Sequence, residues 1–195
     1  MQRWDILNTL IKNFEYKNYL EIGVQDYYSC CAKIKLDEEN KTTVDPFPRN
    51  KCEFVGTSDE YFAQLDPKVK FDLIFIDGLH HSDQVLKDIK NSLNHLSENG
   101  SILCHDCLPP TEKHQEREDH GGEWNGDVWK AIAQLRVEET NLSIKTIDTD
   151  WGCCLIQKGS NVPYIPRNEK YLTWEYFNTY KNELMNVVSP FEVLV

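Results

Sequence analysis

Acidic side chains stand at the ends of several predicted strands in this sequence of 195 residues. Glu21, Asp45, Asp77 and Asp106 each lie where an apolar run stops, and His105 precedes the last of them. In an open α/β sheet, ligands bind beyond the carboxyl ends of the strands. Carboxylates at that edge favour a ligand that carries hydroxyl groups, a positive charge or a metal ion. Solvent-facing positions are often polar, so each acid taken alone also has a purely structural interpretation.

Two of these acids have the spacing of a nucleoside site. Asp45 lies 24 positions after Glu21, close to the interval at which an acid at the end of a second strand binds ribose hydroxyls. A carboxylate can accept hydrogen bonds from both oxygens of a vicinal diol. The loop at residues 23–28 does not fit the GxGxxG pattern, and Tyr27 and Tyr28 are expected to crowd a pyrophosphate there. The pattern therefore favours a nucleoside without phosphates.

Apolar runs predict the strands that place these acids. Phe71–Ile76 is nearly continuous, as expected of a strand that helices cover on both faces of a parallel sheet. Shorter strands are predicted at residues 18–22, 41–44, 52–55 and 101–104. Two later runs, 142–147 and 153–157, are separated by only five residues. This short separation predicts an antiparallel hairpin.

Helices are predicted between the strands. Apolar residues from Trp4 to Phe14 recur at three- and four-residue steps, which is typical of an amphipathic helix. Ser58 and Ser82 are predicted N-caps. The first helix would run through Gln64, and the second would bury Val85, Ile89, Leu93 and Leu96. Residues 29–36 and 128–137 are also predicted to be helical. The alternation of elements predicts an α/β fold.

The rest of the chain adds a long loop and a tail. Residues 108–126 are polar, and a loop of that length is usually functional or mobile. Beside it, Trp124 is a candidate for a substrate pocket, whereas Trp129 has the context of a core residue. The sequence predicts a domain at residues 1–160. Residues 161–195 are predicted to be a helical extension packed on that domain or at an oligomer interface.

Composition argues against several classes of protein. The net charge is −11 and the pI is about 5.0, so nucleic acid and anionic membranes are poor partners. The sequence has no long apolar segment and no recognisable secretory leader, which favours a cytoplasmic protein. Seven cysteines, an odd number in apolar context, predict reduced thiols. Cys104 and Cys107 have CxxC spacing, but no second pair accompanies them to form a zinc site.

Six short motifs lie in order between about residue 17 and about residue 158: YLEIGV at 19–24, VDP at 44–46, TSDE at 57–60, FDLIFIDGLH at 71–80, LCHD at 103–106 and DTDWG at 148–152. This ordered set resembles the class I S-adenosylmethionine (SAM)-dependent methyltransferases, and most closely the type-24 methyltransferase domain. The resemblance implies a Rossmann-like, mostly parallel sheet of seven strands with one antiparallel strand and helices on both faces.

The resemblance also assigns roles to residues of the cofactor site. It implies that Glu21 and Gly23 line the methionine part of SAM and that Asp45 holds the ribose. Thr57 and Ser58 would lie near the adenine. Asp77, at the end of the predicted fourth strand, would line the same site.

Metal-dependent relatives that methylate hydroxyl groups imply a second set of roles. In this sequence they correspond to metal ligands at Asp77, His105 and Asp106 and to a base at His80, with Asp77 also part of the catalytic pair. Oxygen ligands with one imidazole suit Mg²⁺ or Mn²⁺. The alternative is structural: Asp77 caps the helix that begins near Ser82, and His105 bonds to backbone.

The sequence therefore predicts an enzyme that transfers a methyl group from SAM to a hydroxyl of a small molecule or glycan, with a divalent ion as a further expectation. The main alternative is an inactive protein of the same fold that binds a ligand or partner. A nucleotide-dependent oxidoreductase would need a phosphate-binding loop that the chain lacks. A metal-dependent hydrolase using His80, His81, His105 and Asp106 would leave Glu21 and Asp45 without a role. The acceptor and the oligomeric state, including a homo-oligomer, stay open.

Overall fold

The computed structural model describes residues 1–160 and 162–193. Five α-helices alternate with strands: α1 (Arg3–Phe14), α2 (Ser58–Gln64), α3 (Ser82–Asn94), α4 (Val128–Glu138) and α5 (Trp174–Leu184). The strands are β1 (Tyr19–Ile22), β2 (Lys41–Asp45), β3 (Phe54–Val55), β4 (Phe71–Ile76), β5 (Leu96–Cys104), β6 (Leu142–Ile147), β7 (Cys153–Lys158) and β8 (Val187–Val188).

All of these strands belong to one sheet with the order β3-β2-β1-β4-β5-β7-β6-β8. Strand β7 lies between β5 and β6 and runs antiparallel to both, while the other pairings are parallel. The predicted Rossmann-like α/β fold with one antiparallel strand is confirmed. The strand count differs by one, because Val187 and Val188 pair with the edge strand β6. This two-residue strand lies in the tail that was predicted to be a helical extension.

Helices cover both faces because residues of the central strands alternate between two cores. On one face, Leu20 of β1 and Ile74 of β4 pack with apolar residues of α2, α3, α4 and α5. On the other face, Tyr19 and Leu73 pack against α1. Phe177 of α5 is fully buried in the first core. Its ring centroid lies 4.5 Å from that of Trp129, which is a core residue as predicted.

Several predicted boundaries were wrong for local reasons. The predicted helix at residues 29–36 is only a 3₁₀ turn at Cys31–Lys33. Thr57, not Ser58, is the N-cap of α2, and its hydroxyl accepts the Glu60 N–H. Ser82 is the first residue of α3 and donates its own N–H to the Asp127 carboxylate. Helix α3 ends at Asn94, so Leu96 begins β5.

Two further predictions concern the state of the cysteines and the length of the apolar segments. All seven thiols are free. The Cys107 thiol donates to the Cys104 carbonyl oxygen, so the CxxC pair forms a local hydrogen-bonded turn. In the described part of the chain, every helix is too short or too polar to cross a lipid bilayer.

Candidate active site

A cleft of about 880 Å³ opens at the carboxyl ends of β1, β2, β4 and β5. Every site residue predicted from the sequence lines it: Glu21, Gly23, Asp45, Thr57, Ser58, Asp77, His80, His105 and Asp106. Parallel strands bring these residues to one edge of the sheet although they are far apart in the sequence. The cleft also contains residues that the sequence analysis missed, among them Arg3 and Asp88.

Glu21 is buried at the end of β1, where its carboxylate accepts a 2.6 Å hydrogen bond from the Tyr19 hydroxyl. Burial raises the pKa of Glu21 to about 8, and the nearby charge of Asp77 contributes in the same direction. The side chain therefore carries a proton at neutral pH unless a positive charge is brought beside it. A cationic ligand in the cleft would lower that pKa.

Gly23 allows the ends of β1 and β4 to approach closely. Its φ of +87° is in the left-handed region, and an added Cβ would lie 2.1 Å from the carbonyl oxygen of Asp77. A side chain at this position would therefore push apart the two strand ends that carry Glu21 and Asp77.

Asp45 is held by the loops that follow β1 and β2. Its two carboxylate oxygens accept the N–H groups of Gln25, at 2.8 Å, and Phe47, at 2.7 Å. A carboxylate has about four lone-pair sites, so two remain for a ligand. The expected obstruction by two tyrosines is not seen: Tyr27 packs in the core beside α1, and Tyr28 is 68% exposed and outside the cleft lining.

Asp88 forms a buried acidic group near Thr57 and Ser58. The Ser58 hydroxyl donates to Oδ1 of Asp88 at 2.7 Å, and the Gln84 amide donates to the same atom at 2.9 Å. Among residues 1–160 and 162–193, no hydrogen bond to Oδ2 is found. Burial raises the pKa of Asp88 to about 6. One sequence signal was available, because an acid on the apolar face of α3 is unusual.

Two acids and two imidazoles meet at the other end of the cleft. Nε2 of His80 lies 3.4 Å from Oδ1 of Asp77 and 3.3 Å from Oδ2 of Asp106. Nδ1 of His105 lies 3.3 Å and 2.9 Å from the same two oxygens. The His80 side chain is 17% exposed and that of His105 only 5%. His80 is therefore the imidazole that a molecule in the cleft can reach.

The charges of this cluster stabilise one another. Burial by itself would lower the pKa of His80, but the hydrogen bond with Asp77 and the charge of Asp106 outweigh it and raise that pKa. His105 behaves in the same way, and its pKa lies well above the ordinary value. Burial opposes ionisation of Asp77, yet the two imidazoles hold its pKa below the ordinary range. Carboxylates facing imidazolium groups are the stable arrangement.

Arg3 and Asp150 extend the cluster, and the sequence analysis assigned neither of them a role. The backbone N–H of Arg3 donates to Oδ2 of Asp150 at 2.6 Å. Nε of its guanidinium lies 3.7 Å from Oδ2 of Asp77. Oδ2 of Asp150 is also 3.6 Å from Nε2 of His105. Burial works against ionisation of Asp150, but His105 and Arg3 lower its pKa to about 2. Helix α1 is thereby fastened to the site by its first residue.

The end of the long loop positions the cluster. Trp124 stacks on His80, with ring centroids 4.9 Å apart, and its carbonyl oxygen lies 3.3 Å from Nδ1 of His80. Since a carbonyl only accepts, Nδ1 carries a hydrogen, and Nε2, which faces the two carboxylates, is the nitrogen that gains or loses the second proton. The Asn125 amide donates to Oδ1 of Asp106 at 2.7 Å. At Gly126, an added Cβ would lie 2.0 Å from the His80 carbonyl oxygen.

The structural alternatives for two of these residues are wrong. The N–H of Ser82 at the start of α3 is bound by Asp127 and not by Asp77. The ring of His105 bonds to the Asp106 side chain instead of the backbone. His81, adjacent to His80, lies outside the cleft lining and contacts the Arg117 carbonyl oxygen.

Residues 20–107 match the profile of the type-24 methyltransferase domain family. These residues form a methyltransferase domain. The predicted family and enzyme class are thereby confirmed, and the match ends just beyond the acid–imidazole cluster. A comparison with curated protein sequences found no match.

Solved structures of methyltransferases share the fold of this domain. The S-adenosylhomocysteine-bound methyltransferase PaMTH1 of Podospora anserina is 20% identical with a TM-score of 0.62, over 81% of this chain and 78% of that one. TomG of Streptomyces achromogenes, an O-methyltransferase of tomaymycin synthesis in complex with SAM, is 14% identical with a TM-score of 0.59, over 81% and 80%. A Bacillus cereus O-methyltransferase with S-adenosylhomocysteine is 14% identical with a TM-score of 0.58, over 80% of each chain.

Proposed function

We propose that this protein transfers a methyl group from SAM to a hydroxyl oxygen of a small molecule or sugar. The observation that carries the proposal is that one cleft contains both Asp45 and the acid–imidazole cluster around His80. Asp45 follows Glu21 by 24 positions, the spacing expected of an acid that binds ribose hydroxyls. Two of the similar structures are O-methyltransferases that hold SAM or S-adenosylhomocysteine. In this proposal the cofactor site and the proton acceptor lie in the same cleft.

The cofactor would be bound by acids along one wall of the cleft. The free lone pairs of Asp45 suit the two ribose hydroxyls, and Oδ2 of Asp88 suits the amino group of adenine. Glu21 lies where the positively charged methionine part would sit, and loss of its proton on binding would match its charge to the ligand. When bound, SAM supplies a methyl group on a positively charged sulfur, which is already electrophilic.

The protein's remaining work is to orient the acceptor and remove its proton. His80 lines the cleft, and in its neutral form Nε2 would take the proton of the acceptor hydroxyl. Asp77 and Asp106, both within 3.4 Å of that nitrogen, stabilise the imidazolium that results. Trp124 holds the ring in the tautomer that this step needs. His80 and Asp77 are accordingly the proposed catalytic residues.

The cluster also fits a divalent ion. Asp77, Asp106 and His80 each offer an atom within 4.8 Å of the others, and His105 lies at the same two oxygens. Oδ1 of Asn125 is buried without a hydrogen-bond partner among the described residues, directly beside Asp106. We assign Asp77, His105 and Asp106 as ligands for Mg²⁺ or Mn²⁺ because His80 is the more exposed imidazole. Held by these residues, such an ion would lower the pKa of an acceptor hydroxyl.

Calorimetric titration with S-adenosylhomocysteine tests the proposal, first in EDTA and then with Mg²⁺ or Mn²⁺. We expect micromolar binding that Asp45→Asn weakens by at least about tenfold, while Asp37→Asn, at an exposed position outside the cleft, leaves it unchanged. A separate metal isotherm that Asp106→Asn abolishes would support the ion. Failure to bind S-adenosylhomocysteine in both media would refute the function. Binding without transfer to any acceptor would indicate an inactive ligand-binding protein.

The proposal includes a compartment and partners. Seven free thiols suit the reducing cytoplasm. The partner is the small-molecule or glycan acceptor, not nucleic acid or membrane, in keeping with the net charge of −11. Size-exclusion chromatography with light scattering decides whether the chain forms a homo-oligomer.

A further inference from the structure

We propose that the methyl acceptor is a sugar ring without phosphate or carboxylate groups, bound against Trp124 and Trp151. This inference rests on the proposed function and concerns the half of the cleft beyond the methionine part of the cofactor. Its walls there consist of Arg3, the His80 cluster, the two tryptophans and two acids of the long loop, Asp119 and Glu123. Both tryptophans are partly exposed.

Trp124 is held rigidly next to the proposed base. Its indole N–H donates to the Glu116 carbonyl at 2.7 Å, and its ring stacks on His80 at 4.9 Å between centroids. A ring bound against this indole would therefore lie beside the nitrogen that accepts the proton. An aromatic side chain fixed in this way supplies contact area with little loss of conformational freedom on binding.

Trp151 lines the same cleft from the turn between β6 and β7. Asp150 and Trp151 have φ values of +46° and +65°, in the left-handed region that non-glycine residues seldom adopt. The turn is kept in place by Asp150, which binds Arg3, and by the Trp151 carbonyl, which accepts the Leu108 N–H at 2.8 Å. The indole also stacks on His114, at 5.8 Å between centroids. The two aromatic rings thus line one cleft from two separate loops.

The charges of this half of the cleft select against anions. The loop at residues 108–126 has five carboxylates and two cations, for a net charge of −3. Asp119 and Glu123 are exposed on the cleft wall, and Arg3, the guanidinium on that wall, is already paired with Asp77 and Asp150. A phosphate or a carboxylate would meet like charges at the rim and no unpaired guanidinium, and the imidazoles of His80 and His105 are already paired with Asp77 and Asp106. Neutral and amino-bearing acceptors would meet hydrogen-bond acceptors.

A sugar ring can contact both the indole rings and the carboxylates of this half of the cleft. Its C–H face is apolar and packs on indole, while its ring hydroxyls donate to carboxylates. An amino group in place of one hydroxyl adds attraction to Asp119, to Glu123 and to the indole face. A phenol offers the flat face but has no ring of hydroxyls for the two rim acids. The combination of indole and carboxylate therefore favours a sugar over a phenol.

Matched pairs of acceptors test the inference on protein loaded with S-adenosylhomocysteine. Saturation-transfer NMR would compare methyl glucoside with methyl glucuronide and glucosamine with glucosamine 6-phosphate, with catechol as the phenol. Transfer of labelled methyl from SAM would be measured with the same panel. We expect the neutral and amino sugars to bind at least about tenfold more tightly than their anionic counterparts. Equal or tighter binding of the anionic members, preference for catechol, or no binding by any sugar would overturn the inference.

Variants separate this inference from the proposed function. Trp151→Ala should raise the KM for the sugar at least about tenfold with little change in kcat, whereas Tyr28→Ala, an exposed aromatic outside the cleft lining, should not. Glu123→Lys, at an exposed position, should shift preference toward the glucuronide. All three should still bind S-adenosylhomocysteine. If the parent protein does not bind S-adenosylhomocysteine, the proposed function is refuted. If that binding is present but Glu123→Lys keeps the parent's acceptor preference and Trp151→Ala keeps its KM, only the sugar site is refuted.

Discussion

Nε2 of His80 lies 3.3 Å from Oδ2 of Asp106, although 26 positions separate the two residues in the sequence. The carboxylate favours the protonated imidazole, and the Trp124 carbonyl on the other side of the ring selects the tautomer. This relationship stabilises the imidazolium that forms when the neutral His80 ring takes a proton.

His80→Gln should therefore reduce kcat by about 10²- to 10⁴-fold, the usual contribution of a general base. Binding of S-adenosylhomocysteine should change little, since its proposed contacts are with Asp45 and Asp88 and not with His80. His81→Gln is the matched control, because His81 is adjacent in the chain but outside the cleft lining. Steady-state kinetics and calorimetry check both effects. Full activity in His80→Gln would remove His80 as the base.

Gly126→Ala should also reduce kcat, but through the backbone. Gly126 and Gly122 both have left-handed φ values, of +60° and +96°, so alanine is strained at either position. Only at Gly126 would the new Cβ collide with His80, whose carbonyl oxygen would be 2.0 Å away, while Gly122 has open space. Thermal denaturation of both variants measures the strain. A loss of activity equal in the two variants would contradict a specific effect on His80.

Glu21 should make the folded protein less stable as the pH rises. Its pKa is raised from 4.5 to about 8, so between these values the folded protein holds a proton that the unfolded chain has lost. The free energy of unfolding then falls with rising pH by up to about 1.4 kcal/mol per pH unit and levels off above the folded pKa. Glu21→Gln removes this dependence.

Urea denaturation of the parent and of Glu21→Gln from about pH 5 to about pH 9 measures the effect. The variant should gain stability relative to the parent across that interval. His80 and His105 titrate in both proteins. Their contribution therefore cancels when the free energy of unfolding of the parent is subtracted from that of the variant at each pH. A difference that stays constant with pH would show that Glu21 has an ordinary pKa.

Asp88→Asn should change the purine preference of the cofactor site. Oδ2 of Asp88 is proposed to accept a hydrogen bond from the adenine amino group, whereas an asparagine amide can donate to the oxygen of hypoxanthine. Calorimetry with S-adenosylhomocysteine and S-inosylhomocysteine measures both affinities. The parent should prefer the adenosyl compound, and the variant should lose or reverse that preference. Asp83→Asn, on the same helix but exposed, should behave like the parent.

If Asp88→Asn weakens both compounds equally, Asp88 supports the cleft wall without contacting the purine. Parent-like selectivity in the variant would exclude the contact altogether. Because Ser58 and Gln84 also bond to Asp88, thermal denaturation should accompany the titration. A variant that unfolds early would be measured at lower temperature with the same pair of ligands.

The sequence by itself determined the fold class and the edge of the sheet at which the site lies. Apolar runs such as Phe71–Ile76 are local signals of buried strands, and a residue that follows such a run must lie at the carboxyl edge. For this reason Glu21, Asp45, Asp77 and Asp106 were predicted to line one cleft, and they do.

Only the tertiary structure decided which side chains meet there. Arg3 and Asp150 are 147 positions apart, and no periodicity or motif spacing reports a contact of that kind. Asn125 reaches Asp106 only because the long loop folds back to the cleft. Tyr27 packs in the core, whereas the sequence predicts it beside the ligand site. Strand order and residue type are written in short segments of sequence, whereas charge pairing and burial depend on how those segments pack.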